Sequence, residues 1–307
     1  MANRSWVWNW AYHLLGAVAL LMNKLRYAVR GYRRSRDFSP SQIERCVDYD
    51  FQVVENWLGY AEDYLHRRVD LSGKVIVELG AGQDLGTGLI LLAKGAERYY
   101  AVDAHDLLMR SNKPFYDALL ERLSQQGIPA ETLDELSKEI NLSLAGQGRR
   151  IAYCCIENFD LSVLSGIEAD FVFSQAAFEH FDNVENAVSQ LGKIVRPGAV
   201  FLAVIDLQTH TRFLREHDPL NIYRYSDSFY RLCKYTSQPN RLRPADYCKI
   251  LTENGWQDVQ VIPLQLAKVN YLDRVRPYLN RRFSDDKSQM EYLTVAICAT
   301  KGNMHQM

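Results

Sequence analysis

The chain has 307 residues, with 36 Lys and Arg against 37 Asp and Glu, so its net charge is close to zero. That length suits one large α/β domain with an appendage. The balanced charge leaves no basic footprint for nucleic acid, and no nucleic-acid partner is expected. The six cysteines (Cys46, Cys154, Cys155, Cys233, Cys248 and Cys298) form no C-x-x-C pair, and the seven histidines do not space as metal ligands. Neither a disulfide framework nor a metal site is therefore expected. The cysteines read as buried free thiols of a reducing cytoplasm, with Cys154 and Cys155 pointing to opposite faces of one strand.

Trp6 to Met22 is apolar and aromatic, broken by Asn9 and His13. At about 17 residues it sits at the lower limit for a spanning helix. Lys24, Arg26, Arg30, Arg33, Arg34 and Arg36 follow, with no acid before Asp37. A signal peptide carries its charge ahead of the apolar core, whereas most of it here lies behind. The tryptophans and the basic flank suit a helix lying in a membrane interface over residues 6–36. They suit equally an amphipathic helix packed on the domain or on a twin subunit, as in a homodimer. The expected location is cytoplasmic, with peripheral contact to the inner membrane surface as its variant.

Phe38 to Arg68 has helical spacing (Ile43, Val47, Phe51, Val54, Trp57, Leu58, Leu65), and Ser39-Pro40 offers an N-cap and a first-turn proline. It reads as a cap over the ligand edge of a sheet. From about Leu71 strands and helices alternate. Strands are predicted at Val75–Glu78, Arg98–Val102, Arg150–Cys155, Asp170–Ser174, Ala199–Ile205, Asp258–Pro263 and Tyr292–Thr300. Helices are predicted from Gly86 to Lys94, over Phe115–Gln126 and Glu131–Leu144, from the capping box Asp182-Asn183-Val184-Glu185 to Val195, and over Pro244–Asn254. Asp206 to Pro239 reads as an irregular polar loop. The order predicts a Rossmann-like, doubly wound, mostly parallel seven-stranded sheet with helices on both faces and an N-terminal helical extension. By segment, 1–37 is the apolar/basic helix, 38–70 the cap and 71–301 the α/β domain. Within that domain, 104–149 is a helical insertion and 206–243 a loop over the cleft.

In such a sheet the ligand sits beyond the carboxyl ends of the strands. The first strand ends in Glu78-Leu79-Gly80-Ala81-Gly82, and the second in Asp103, where a carboxylate can accept two ribose hydroxyls. Glu157-Asn158, Ser174-Gln175 and Asp206 end the next three. Val77 to Gly82, Ala101-Val102-Asp103, Asp170 to Ser174, Phe178-Glu179-His180-Phe181 and Val195 to Phe201 together resemble the class I S-adenosylmethionine-dependent methyltransferases, over about Leu71 to Thr300. The resemblance implies S-adenosyl-L-methionine as cofactor and an antiparallel last strand inserted by a hairpin with the sixth. It also implies that Gly80, Ala81 and Gly82 let backbone approach the methionyl part, with Glu78 orienting that loop or meeting the methionyl ammonium through water. Asp103 would hold the ribose, Glu157 or Asn158 the adenine amine, and Ser174 and Gln175 would line the methyl-transfer face. The family's usual third glycine is Asp84 here, and glycine reappears at Gly86.

Methyl transfer needs an aligned nucleophile, a dry site and removal of one proton. His180 and His210 are the candidate bases, with Asp206 and His217 behind them. Arg241, Arg243, Arg274, Arg276, Arg281 and Arg282 read either as surface pairs or as holders of an anionic acceptor. The expected reaction is O-methylation of a small or medium-sized acceptor such as a sugar, a lipid-linked glycan or a metabolite. Two other readings compete. Gly82 to Gly88 spells G-x-x-x-G-x-G and Tyr230 to Lys234 spells Y-x-x-x-K, as in NAD(P)-dependent short-chain dehydrogenases. The second is a catalytically silent scaffold that keeps the fold at a membrane.

Overall fold

The computed structural model describes residues 2–31, 38–110, 112–156, 159–236 and 238–302. Strands β1 (Val75–Leu79), β2 (Arg98–Asp103), β3 (Ile151–Cys155), β4 (Ala169–Gln175), β5 (Val195–Asp206), β6 (Trp256–Leu266) and β7 (Tyr292–Lys301) form one seven-stranded sheet in the order β3-β2-β1-β4-β5-β7-β6. The first five pair in parallel. β7 runs antiparallel to both β5 and β6. The order reverses at β1, which lies between β2 and β4, and this opens a crevice beyond the carboxyl ends of those strands.

Helices α1 (Ala2–Arg30), α2 (Ile43–Leu65), α3 (Gly86–Ala93), α4 (Lys113–Gln125), α5 (Ala130–Leu144), α6 (Val184–Leu191), α7 (Arg212–His217), α8 (Asp227–Leu232), α9 (Pro244–Glu253) and α10 (Val269–Val275) complete the described regular structure, with short 3-10 turns. The period-two alternation of strand side chains divides the core. Ile76, Tyr99, Ala101, Phe171 and Phe173 face one layer with α2 to α5. Val77, Leu79, Val102 and Val172 face the other, with α6 and α9. Trp57 of α2, fully buried, stacks on Phe173 with ring centroids 4.9 Å apart. α2 thus covers a face of the sheet, and only Tyr49, Asp50 and Val53 of it reach the crevice.

Several local expectations change. α2 starts at Ile43, because Ser39 and Pro40 form a turn closed by Gln42 N–H on the Ser39 carbonyl at 2.8 Å. α6 ends at Leu191, short of the predicted Val195. The chain enters β5 at Val195 and carries Pro197-Gly198 across a register shift between the pairs Ala169–Val195 and Phe171–Val200. Gly198 supplies a positive φ of 80° there, and Arg196 is paired with buried Asp170. The predicted loop 206–239 holds α7, α8 and a 3-10 turn at Asn221–Arg224. Its aromatics build a third core, in which Leu220, Tyr223, Tyr225 and Tyr230 meet Leu20 and Phe283. In place of a tight hairpin, α10 and 3-10 turns join β6 to β7. No cysteine forms a disulfide among the described residues, but Cys155 is exposed where a buried thiol was expected.

Candidate functional site

The crevice is a cleft of about 960 Å³ at the carboxyl ends of β1 to β4. Its floor is the loop after β1. Gly80 and Gly82 have φ of 81° and 79°, a region that costs a side chain strain. Gly80 N–H donates to the Val102 carbonyl at 2.7 Å, which ties the loop to β2. A Cβ on Gly80 would meet that of Ala177 at 2.2 Å, whereas one on Gly82 would enter open space. The loop therefore packs at Gly80 and leaves backbone bare at Gly82.

The displaced glycine has a packing cause. Asp84 Oδ1 accepts from Gly86 N–H at 2.9 Å and so opens α3 with an Asx turn. A Cβ on Gly86 would lie 2.0 Å from Asp50 Oδ2, and one on Gly88 would lie 2.4 Å from the Tyr99 ring. Those two glycines let α3 sit against α2 and β2; they do not form a dinucleotide loop.

Glu78 Oε2 accepts from Thr87 Oγ1 at 2.7 Å and from the Tyr99 hydroxyl. Burial and the Glu78 carboxylate raise the Tyr99 phenol well above its ordinary range, so it remains a donor. Asp103 lines the cleft at the tip of β2 and is 7% exposed. Its Oδ2 accepts from Gly82 N–H at 3.1 Å and its Oδ1 from His105 N–H at 3.0 Å. Burial raises its carboxyl above the usual value, against the pull of those two N–H groups. These bonds hold the carboxylate beside Gly82.

Of the other expected residues, Ala81 and Gln175 line the cleft. Ser174 is fully buried and donates to the Leu79 carbonyl at 2.8 Å, which locks β4 to β1. Glu157 and Asn158 lie outside the described residues. Beside them the cleft wall is made by Cys155, Phe159 and Phe181, the two rings 4.0 Å apart. The sequence reading missed that aromatic wall, because it depends on Phe159 turning back at a φ of 51°.

His180 lines the cleft, on the 3-10 turn Phe178–His180 after β4. His210, after β5, places its ring 4.7 Å from that of His180 at 73°. His210 Nε2 lies 3.5 Å from Asp206 Oδ2, and Asp206 is also paired with Arg215. Burial works to raise the Asp206 carboxyl, but His210 and Arg215 outweigh it and hold it below the ordinary range. Glu179 lies beneath the histidines, 2% exposed, and neither carboxylate oxygen closes a hydrogen bond. Burial raises its carboxyl well above the usual value. One ligand atom from each of Glu179, His180 and His210 lies within 4.8 Å of the others. The three together could hold a metal ion, although their spacing in the sequence predicts none.

The remaining candidates lie elsewhere. His217 bonds the Phe213 carbonyl at 3.1 Å and stacks toward Tyr12 of α1. Arg241 pairs with the exposed Asp227 carboxylate, whereas Arg243 is not a surface pair. Both are buried, Arg241 on the carbonyls of Ile222 and Tyr225, Arg243 on those of Ser288, Gln289 and Tyr292. Arg274 sits over the Trp8 ring at 3.9 Å, and Arg276 pairs with Asp286. Tyr230 is buried and donates to the Pro239 carbonyl at 2.8 Å, so it offers no dehydrogenase-type hydroxyl to the cleft.

No family model and no curated protein matches the chain. Solved structures do. The CurJ carbon methyltransferase is 14% identical, covering 98% of this chain and 71% of its own, with a TM-score of 0.46. Phosphoethanolamine N-methyltransferase 2 of Haemonchus contortus, in complex with phosphomonomethylethanolamine and S-adenosylhomocysteine, is 15% identical over 83% of this chain and 53% of its own, with a TM-score of 0.41. An S-adenosylmethionine-dependent methyltransferase of Mesorhizobium loti is 13% identical over 76% and 93%, with a TM-score of 0.39. Likenesses of that size decide nothing alone; the strand order does. Five parallel strands reverse at β1, and an antiparallel β7 is inserted between β5 and β6. The chain has the class I S-adenosylmethionine-dependent methyltransferase fold.

Proposed function

We propose that the protein is an S-adenosylmethionine-dependent methyltransferase that methylates an oxygen of a small or medium-sized acceptor, such as a sugar, a lipid-linked glycan or a metabolite. The observation that carries this is the convergence in one cleft of the bare backbone at Gly82, the Asp103 carboxylate, Gln175 and His180. The residues fit the cofactor. Gly82 has open space where a Cβ would stand, and Asp103 is held at the second strand tip, where a ribose presents its hydroxyls. The Phe159–Phe181 wall offers apolar ring surface to the adenine.

When bound, the cofactor supplies a methyl group already activated on a sulfonium. The chain's own part is alignment and proton transfer. The His180 ring would take the proton of the acceptor hydroxyl, whose oxygen would receive the methyl group that the bound cofactor supplies. His210, its ring 4.7 Å from that of His180 and its Nε2 3.5 Å from Asp206 Oδ2, flanks that ring and limits how it can turn.

Binding is tested first, by calorimetry with S-adenosylhomocysteine and with a nicotinamide dinucleotide. Uptake of the dinucleotide alone overturns the reading. Transfer of labelled methyl into fractionated extract, with mass identification of the product, then names the acceptor. His180→Gln is expected to leave S-adenosylhomocysteine affinity within about threefold and to lower turnover by about 10²-fold or more. Equal turnover removes His180 as the base, and no turnover from the wild-type chain on any fraction favours the silent scaffold.

A further inference from the structure

Helix α1 has two unlike faces. One is seated on the domain. Asn9, 1% exposed, donates to the Arg274 carbonyl at 3.2 Å and accepts from Arg224 Nη2 at 3.0 Å. Gly16 lies so close that a Cβ there would stand 1.9 Å from Asn221 Oδ1, and Leu20 is buried in the third core. The other face is Val7, Trp10, Leu14, Val18, Leu21 and Leu25, each between 44% and 66% exposed. These recur at three- and four-residue spacing, so they form one continuous stripe along the side opposite the anchored face. Single exposed apolar residues are ordinary, but a contiguous stripe of this length on a rigidly held helix marks a docking surface.

The charges say what it docks on. Residues 2–30 contain no Asp or Glu. Lys24 and Arg26, both exposed, fall on opposite flanks of the stripe by helical periodicity, and Arg30 closes the end. Apolar side chains facing outward, a basic end and tryptophan near the other end match a helix lying flat in a headgroup layer, with Arg26 and Arg30 turned to lipid phosphates. A second copy of the helix would bring no anion to those flanks. No described helix is long and apolar enough to cross a membrane.

The same helix touches the cleft. Tyr235, which lines it, packs on Tyr27 with ring centroids 4.7 Å apart. Lys24 Nζ donates to the Leu232 carbonyl at 2.6 Å, two residues before the lining residue Lys234. The wall formed by residues 234–236 is thereby fixed to the basic end of α1. We infer that α1 lies in the surface of an anionic bilayer and holds the cleft mouth at headgroup level, so that the acceptor is the polar head of a lipid-borne substrate. The second clause rests on the methyl-transfer reading; the first does not.

The test is co-sedimentation of the full chain with vesicles of phosphatidylcholine and of an equimolar phosphatidylcholine–phosphatidylglycerol mixture, run beside S-adenosylhomocysteine calorimetry. The wild-type chain is expected on the anionic vesicles, with binding that weakens as salt rises. The triple variant Leu14→Glu, Val18→Glu, Leu25→Glu is expected to lose it, and Arg26→Glu with Arg30→Glu to weaken it about tenfold or more. All variants should bind S-adenosylhomocysteine as the wild type does, because the changed side chains are exposed. Wild-type chain that ignores both vesicles, or a triple variant that still binds, overturns the docking. A wild-type chain that ignores vesicles but is a dimer, made monomeric by the triple variant, assigns the stripe to a second copy. Loss of cofactor binding with vesicle binding intact would instead sink the methyl-transfer reading. With docking established, methylation of water-soluble acceptors only would remove the lipid-borne substrate.

Discussion

Replacing Asp103 by alanine tests the ribose assignment and can be worked from the structure. The carboxylate carries two intramolecular bonds, from Gly82 N–H at 3.1 Å and His105 N–H at 3.0 Å, and keeps acceptor capacity toward the cleft. A bound ribose would add two hydroxyl donors, each worth about 1.5–3 kcal/mol to a charged acceptor. Part of that is offset by further desolvation of a carboxylate that burial already raises. A net loss of about 3 kcal/mol, or about 10²-fold in Kd for S-adenosylhomocysteine, is expected in calorimetry at neutral pH. Two loop N–H groups lose their acceptor, and water in the open cleft replaces it in part, so the melting temperature should fall by only a few degrees, roughly 1–3 kcal/mol of stability. The wild type carries a pH signature as well. Its Asp103 carboxyl takes up a proton above the usual carboxylate range, so binding should weaken as pH falls into that window, and the variant should lack that step. A folded Asp103→Ala protein that binds S-adenosylhomocysteine as tightly as the wild type refutes the assignment.

Two further predictions concern the scaffold. Asp218 and Arg224 form a fully buried ion pair at 2.8 Å that also receives Asn221, Tyr271 and, through Arg224, Asn9 of α1. Asp218→Ala strands the guanidinium and should cost about 3–5 kcal/mol in denaturant unfolding; a loss under about 1 kcal/mol would mean that the pair does not anchor α1. Glu179 has its carboxyl raised by burial, so the folded state holds its proton more tightly than the unfolded state does. The stability it contributes is present at low pH and is lost as pH rises from the ordinary carboxylate range through the raised value. Glu179→Gln should therefore be more stable than the wild type at neutral pH, the gap closing in acid; a gap independent of pH contradicts this.

Much of the site lies in local pattern. An apolar run that ends in Glu78 and breaks at Gly80 and Gly82 is readable because buried strand and tight turn each demand particular residues within a few positions. Asp103 follows from the next strand end by the same logic. What was not legible depends on distant contacts. Ser174 looks like a cleft residue by its position but turns to the Leu79 carbonyl. Gly86 and Gly88 spell a motif, yet they answer to Asp50 and Tyr99. Arg241 and Arg243 look like a basic surface run and are buried among carbonyls instead. The apparent loop 206–239 folds as helices because its tyrosines find Leu20 and Phe283, at opposite ends of the chain.

The sequence alone determined the alternation of strands and helices, the carboxyl-edge loops and the apolar character of the first helix, since hydrophobic period and glycine placement act over a few residues. Only the tertiary structure decided the strand order that defines the fold, because pairing is set by packing between segments far apart in the chain. It alone set His210 and Asp206 behind His180, from the ends of two neighbouring strands. It also divided α1 into an anchored face and a free one, because burial of Asn9, Gly16 and Leu20 requires the third core to exist before the helix has anything to sit on.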